Sequence, residues 1–368
     1  ENFKNSNNID HLYYKSNKNR VFKSKKIGKK HSSKDKINLE PLVFNDDIFF
    51  YDLKGNIYRY SPQSRKLLWK FNFYKKKFRN IPIKINYKII LNNLIISDNL
   101  GYFYNIDIDT GKLVWAKNQG VPLTSEIKSF SEKIFLLNQD NKFYIFEKTN
   151  GKKVLDFETF PVILKKNNKQ TLSLDSNNNL FFVTSAGQVF ALNHENYKIN
   201  WLNNIKDTVS SGEFGLFNSS PIIVDDNFVY LSSSKSTICL DSLTGLKKWD
   251  LPFGTKIRPI VSGNSIFLIS RNGFLLNVDK KNGQIIWSKK LFKTKDINLK
   301  KMGDVTSLLL LSEQLFFSTQ NGYFFFVDYK NGKIINYAKV AKEFYSKPVT
   351  ANSKIYIIDK EMRVLIFD

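Results

Sequence analysis

Three histidines, one cysteine and 33 acidic side chains are the groups with which this 368-residue chain could move protons, attack as a nucleophile or hold a metal. Their spacing argues against each use. A nucleophile and its base must lie within hydrogen-bond reach, and no such pair stands out. His11 and His31 fall near the N-terminus and His194 in a turn between two extended runs. Cys239 is alone, so no intramolecular disulfide can form. A calcium site draws six to eight oxygens together, whereas Asp107, Asp241, Asp279 and Asp328 recur singly, each just ahead of a turn. No glycine-rich phosphate loop is present. No catalytic residue, cofactor or metal is therefore expected, and the residues that matter should be those that meet another macromolecule.

The elements that would carry such residues come from a repeat. All five tryptophans occupy one frame. Fourteen residues after Gly55, Gly101, Gly187 and Gly273 come Trp69, Trp115, Trp201 and Trp287, and a copy starting at Lys235 reaches Trp249 at the same offset. Two copies lack the ring: one begins at Asn141 and carries Leu155, the other begins at Gly322 and carries Asn336. Turns such as Thr110-Gly111, Asn150-Gly151, Thr244-Gly245, Asn282-Gly283 and Asn331-Gly332 keep the frame. A last copy starts at Met362, so the eight starts lie 38 to 49 residues apart.

Each copy reads as four short strands. In the fifth they are 220–224, 227–232, 237–241 and 247–251, apolar and β-branched runs broken by Asp-Asp, Ser-rich and Thr-Gly turns. No 12-residue stretch has a 3.6-residue period, which excludes helical repeats. Four-stranded units of about 45 residues specify propeller blades. The chain is thus expected to be all-β, an eight-bladed β-propeller of four-stranded blades. Trp69, Trp115, Trp201, Trp249 and Trp287 are expected to fill the wedges where blades diverge, a structural role for large rigid rings.

The eighth copy stops at Asp368 before its outer strand. Val21-Phe22-Lys-Ser-Lys-Lys-Ile27 is similar to Ile286-Trp287-Ser-Lys-Lys-Leu291 and puts Phe22 in the tryptophan place. An N-terminal strand is therefore expected to close the ring, with residues 19–368 forming the propeller and residues 1–18 a flexible basic tether. Residues 1–36 hold 11 Lys and Arg against 3 Asp and Glu, a net +8 of the chain's +24.

That net charge first points to nucleic acid or an anionic membrane. Lys, Asn, Ile and Phe are over-used together, as AT-rich coding dictates, so solvated lysines are the plainer reading. No RNP-like motif, zinc-finger spacing or basic-striped helix is present, and no nucleic-acid partner is expected. No run of about 18 apolar residues exists to span a bilayer. The chain opens on Glu1 rather than Met, which suggests that an upstream segment such as an export signal has been removed.

The unit Gly-x-Val/Phe-x-Ala-Leu-Asn/Asp-x-x-Thr-Gly-Lys-x-x-Trp, clearest at 101–115 and 187–201, resembles the PQQ-type propeller repeat over about residues 19–368. Two groups share that repeat, the quinoprotein dehydrogenases and the BamB lipoproteins of the outer-membrane β-barrel assembly machine. The dehydrogenases are longer and carry a vicinal cysteine pair or a histidine base with calcium, which this chain does not match. Similarity to the BamB family implies a non-catalytic periplasmic scaffold on the outer membrane of a Gram-negative bacterium. Its partners would be a BamA-like barrel protein and other assembly-machine subunits, with a lipid anchor upstream of Glu1. The family contact lies on the connections entering the fourth and fifth blades. In this chain those are about 160–169 and 206–221. Ile163, Leu164, Lys165 and the adjoining Lys166 resemble the hydrophobic-then-basic contact, and Leu216 and Asn218 stand where the family has acidic residues. A periplasmic propeller that binds an unrelated protein or a polysaccharide is the alternative. The segment preceding Glu1 discriminates the two, since only the first calls for a lipidated cysteine.

Overall fold

The computed structural model describes residues 6–8, 11–14, 20–29, 39–78, 80–159, 170–205, 217, 219–225, 227–233, 235–292 and 297–368. The described chain forms eight antiparallel sheets that follow one another as blades 1 to 8. Blade 1 runs Leu42–Phe44, Asp47–Tyr51, Asn56–Ser61 and Lys66–Asn72. Blade 5 runs Ile223–Asp225, Phe228–Ser232, Thr237–Asp241 and Lys247–Leu251, within a few residues of the sequence reading. Among the described residues the helices are one turn long, Lys76–Phe78 and Leu299–Met302, and no helix could cross a membrane.

Alternation explains the layering. Side chains of a strand point to opposite faces, and in a blade both faces of the middle strands meet neighbouring sheets. Asp47–Tyr51 and Asn179–Val183 are accordingly buried at every position. Phe181, Val183, Val189 and Ala191 of blade 4 interlock with Ile222, Val224, Val229 and Leu231 of blade 5. Outer strands such as Leu113–Asn118 stay largely exposed.

Closure follows the repeat register. In seven blades the residue at the tryptophan position pairs with the residue four places after the start of its copy. Trp69 faces Arg59, Trp115 Asn105, Trp201 Ala191, Trp249 Cys239 and Trp287 Asn277. Leu155 and Asn336 obey the same register opposite Ile145 and Phe326. The N-terminal strand Arg20–Lys23 supplies the eighth case, pairing with Val364–Phe367 so that Phe22 faces Ile366. It also carries the irregularity found in the other outer strands, just before the ring position. Such a bulge adds twist and re-aims the next side chain. Ser24 and Ile27 extend the seam through hydrogen bonds to the carbonyls of Val364 and Met362.

The tryptophans and the turn glycines prove to be two halves of one inter-blade contact. Each indole lies on the turn of the following blade: Trp69 on Gly111, Trp115 on Gly151, Trp201 on Gly245, Trp249 on Gly283 and Trp287 on Gly332. A Cβ at Gly151 would come within 2.6 Å of the Trp115 ring, and its φ of 66° already disfavours any other residue. Where the preceding blade has no tryptophan the turn has no glycine. Arg65 follows the Phe22 strand and Tyr197 follows Leu155, both at positive φ.

Within residues 1–18, expected as a tether, seven are described and they are packed. The described part, 6–8 and 11–14, packs on the first strands of the blades along the propeller axis. Asn7, Asn8 and Tyr14 are buried. His11–Leu12 runs parallel to the first strand of blade 7, Val305–Leu311, which makes that sheet five-stranded. The first strands are the inner edges of their sheets, and an edge is where another extended segment can pair.

Candidate protein-binding site

The groups that could do chemistry are disposed as packing residues. Cys239 is fully buried in a core cluster with Tyr230 and Trp249, and burial pushes its thiol up to about 12. A thiol at that value is not a nucleophile. His194 is 4% exposed, with its ring centroid 4.5 Å from Phe130 and 5.8 Å from Phe135. Burial lowers its pKa below the usual imidazole value. Asp107 receives hydrogen bonds from the Thr110 hydroxyl and amide, both 2.7 Å, which hold its carboxyl below the usual range. Asp241 caps its own turn through Thr244 in the same way. Among the described residues no group of three or more His, Cys, Asp or Glu converges as an ion-binding set. His31 lies outside the described residues, as do Ile163, Leu164, Lys165, Lys166, Leu216 and Asn218.

The stems of the two candidate loops are described, and one buried polar cluster holds them. It starts from Asn141, which stands where most copies begin with glycine and takes φ 63°. Asn reaches this region more readily than other side-chain residues because its carboxamide bonds locally. Here that carboxamide is fully buried and works at long range. Its Nδ2 donates to Ser185 Oγ at 2.8 Å, and its Oδ1 accepts from Gln170 Nε2 at 2.7 Å and from the Ser185 amide at 3.0 Å. Gln170 Oε1 in turn accepts from the Thr124 hydroxyl at 2.8 Å.

These bonds fix the flanks of both connections. Thr159, where the connection into blade 4 begins, donates to the Asn141 carbonyl at 3.2 Å, and Gln170 ends that connection. The connection into blade 5 leaves at Ile205, whose amide donates to the Gly187 carbonyl at 3.0 Å. It returns at Phe217, which donates to the Ser185 carbonyl at 2.9 Å and buries its ring in the core between blades 4 and 5. The stems of the first connection are thus held on Asn141 and those of the second on Ser185 and Gly187, and the Asn141–Ser185 bonds join the two sets. Loops held on a rigid framework can change without disturbing the core.

Asn141, Gln170 and Ser185 carried no repeat signal except the Asn in a glycine place. Replacing Asn141 by alanine is expected to cost about 2–3 kcal/mol, since it orphans buried partners and keeps the left-handed backbone. Denaturant titration measures this. A loss under about 0.5 kcal/mol would show that the cluster does not hold the stems.

The profile of the family described as outer membrane protein assembly factor BamB matches residues 53–289 and 273–368. Outer membrane protein assembly factor BamB of Shewanella oneidensis is 20% identical over 263 residues, 68% of this chain and 66% of that protein. The chain spans 62–66% of the length of the curated relatives it matches. Among solved structures, BamB from Moraxella catarrhalis superposes with a TM-score of 0.74 at 14% identity, covering 95% of this chain and 99% of that one. Quinohemoprotein alcohol dehydrogenase from Comamonas testosteroni superposes with a TM-score of 0.73 at 10% identity, covering 96% and 76%. Both superpositions speak to the fold alone.

Proposed function

Because the chain belongs to the outer membrane protein assembly factor BamB family, we propose that it is a non-catalytic scaffold of the outer-membrane β-barrel assembly machine. In this reading it works at the periplasmic face of a Gram-negative outer membrane and binds the periplasmic domains of a BamA-like barrel protein. The observation that carries the reading is that the stems of the connections into blades 4 and 5, on Asn141 and on Ser185 and Gly187, are tied together by the Asn141–Ser185 bonds. Stems joined through one buried cluster support a reading in which both connections serve one partner. The packed state of Cys239 and His194 supports binding rather than catalysis.

Ile163 and Leu164 supply the apolar anchor on this surface and Lys165 and Lys166 the charged rim, the usual division at an interface. Leu216 and Asn218 are the second contact. The partner's domains expose sheet edges that a loop can meet through its main chain as well as its side chains. Replacing Leu164 and Lys165 together by aspartate is expected to abolish co-purification of the barrel protein from native envelopes and to leave thermal melting within about 2 °C of wild type. Wild-type recovery of the partner would remove this surface from consideration.

A further inference from the structure

The axis of the propeller holds charged and polar groups that an open, water-filled pore would not bury. Lys128, on the first strand of blade 3, is 1% exposed. Its ammonium lies 3.6 Å from the carboxylate of Glu126, which is also 3.6 Å from the guanidinium of Arg258 on the approach to blade 6. Burying an ammonium is costly unless hydrogen bonds satisfy its protons. Part of that satisfaction comes from the chain's own N-terminal segment, because Lys128 Nζ donates to Asn7 Oδ1.

The Asn7 side chain is read completely. While its oxygen accepts from Lys128, its nitrogen donates to the Leu172 carbonyl at 2.7 Å and the Ile222 carbonyl at 2.8 Å. One carboxamide thus joins blades 3, 4 and 5. Leucine would have the right size but would leave the ammonium and both carbonyls without these bonds. Aspartate would set a carboxylate against two carbonyl oxygens. Neighbouring contacts are main-chain or carboxamide in character: Val224 N to Ser6 O at 3.0 Å, and Asn8 Nδ2 to Asp225 Oδ1 at 3.1 Å.

Further along, His11 and Leu12 pair in parallel with Leu310 and Leu311 of blade 7, and Ser312 N donates to the Leu12 carbonyl at 2.8 Å. Tyr14 is buried among Leu309, Leu311 and Phe316. Backbone pairing on an edge, one fully read side chain and one apolar anchor are how an extended peptide is bound by strand addition.

We infer that the channel is a peptide-binding site, filled in cis by residues 6–8 and 11–14, and that its specificity element is a carboxamide at the Asn7 position held by Lys128 and the carbonyls of Leu172 and Ile222. The inference is independent of the scaffold reading, which concerns the loops of blades 4 and 5. With its own segment in place the channel is closed to other strands.

The test uses the full chain and a fluorescein-labelled synthetic peptide of residues 1–14. In the wild type, the amides of 6–8 and 11–14 should exchange at least 100-fold more slowly than in the free peptide. Asn7→Leu should release that protection while the amides of the middle strands keep theirs. The labelled peptide should bind the Asn7→Leu protein at least tenfold more tightly than the wild type, whose channel is occupied, and a peptide carrying the same substitution should not bind. Asn7→Ala provides a milder variant should Asn7→Leu fold poorly. Unprotected amides in the wild type would overturn the inference, and so would equal peptide binding, or none, by wild type and variants.

Discussion

Deletion of residues 1–28 is expected to lower the stability of the propeller by on the order of 5 kcal/mol and to leave it prone to aggregate. The segment provides the outer strand of blade 8, where Arg20, Phe22 and Lys23 pair with Phe367, Ile366 and Leu365. Phe22 and Ile27 pack on the core shared with blade 1, and Phe22 lies 6.3 Å from the Tyr60 ring. Without them Val364–Phe367 becomes an open edge carrying four buried apolar residues, the kind of strand that recruits another chain. The same deletion removes the channel contacts of Asn7, Asn8 and Tyr14. Removal of 1–18 alone keeps the closing strand and loses only the channel contacts, so its cost should fall between wild type and the longer deletion. Urea unfolding of the three proteins reads this order. A deletion of 1–28 that unfolds at the wild-type midpoint would mean that blade 8 closes without this strand.

Replacing Trp115 or Trp287 by alanine is expected to destabilise by about 2–3 kcal/mol, below the full range for a packed interior because both rings are only half-buried. Each ring lies against the next blade's turn, over Gly151 and Gly332, and against a phenylalanine of its own blade. Those are Phe103 at 5.0 Å and Phe267 at 6.2 Å. The contact predicts more than a cavity. Gly151→Ala in the wild type forces a methyl into the indole, whereas in Trp115→Ala the same methyl enters vacated space. The cost of Gly151→Ala should therefore shrink by about 1–2 kcal/mol in the Trp115→Ala background, leaving only the penalty of a positive φ. Strictly additive effects in this double-mutant cycle would place the two residues in separate roles. Binding of the proposed partner should fall only as far as unfolding lowers the folded fraction.

The sequence by itself determined the architecture. Strand, turn and ring recur within each copy, and these signals are local: alternation over five or six residues, an x-Gly turn, and a large ring at a fixed offset. The truncated last copy and the Phe22 match were enough to specify the closing strand, because a propeller leaves one vacancy that a lone outer strand can fill. Tertiary structure alone decided what meets across blades. The pairing of Trp69 with Gly111 is invisible along the chain, since each belongs to a different copy and the wedge between them exists only once the ring forms. The cluster of Asn141, Gln170 and Ser185 brings together residues up to 44 positions apart with no periodicity to announce them. The largest departure lies in residues 6–8 and 11–14: the polar, asparagine- and lysine-rich composition of 1–18 reads as a tether, yet Asn7, Asn8 and Tyr14 are buried. Asn7 finds its partners 121, 165 and 215 residues away. A buried carboxamide is stable there only because Lys128 and two carbonyls from different blades already face the axis, and no local pattern encodes that convergence.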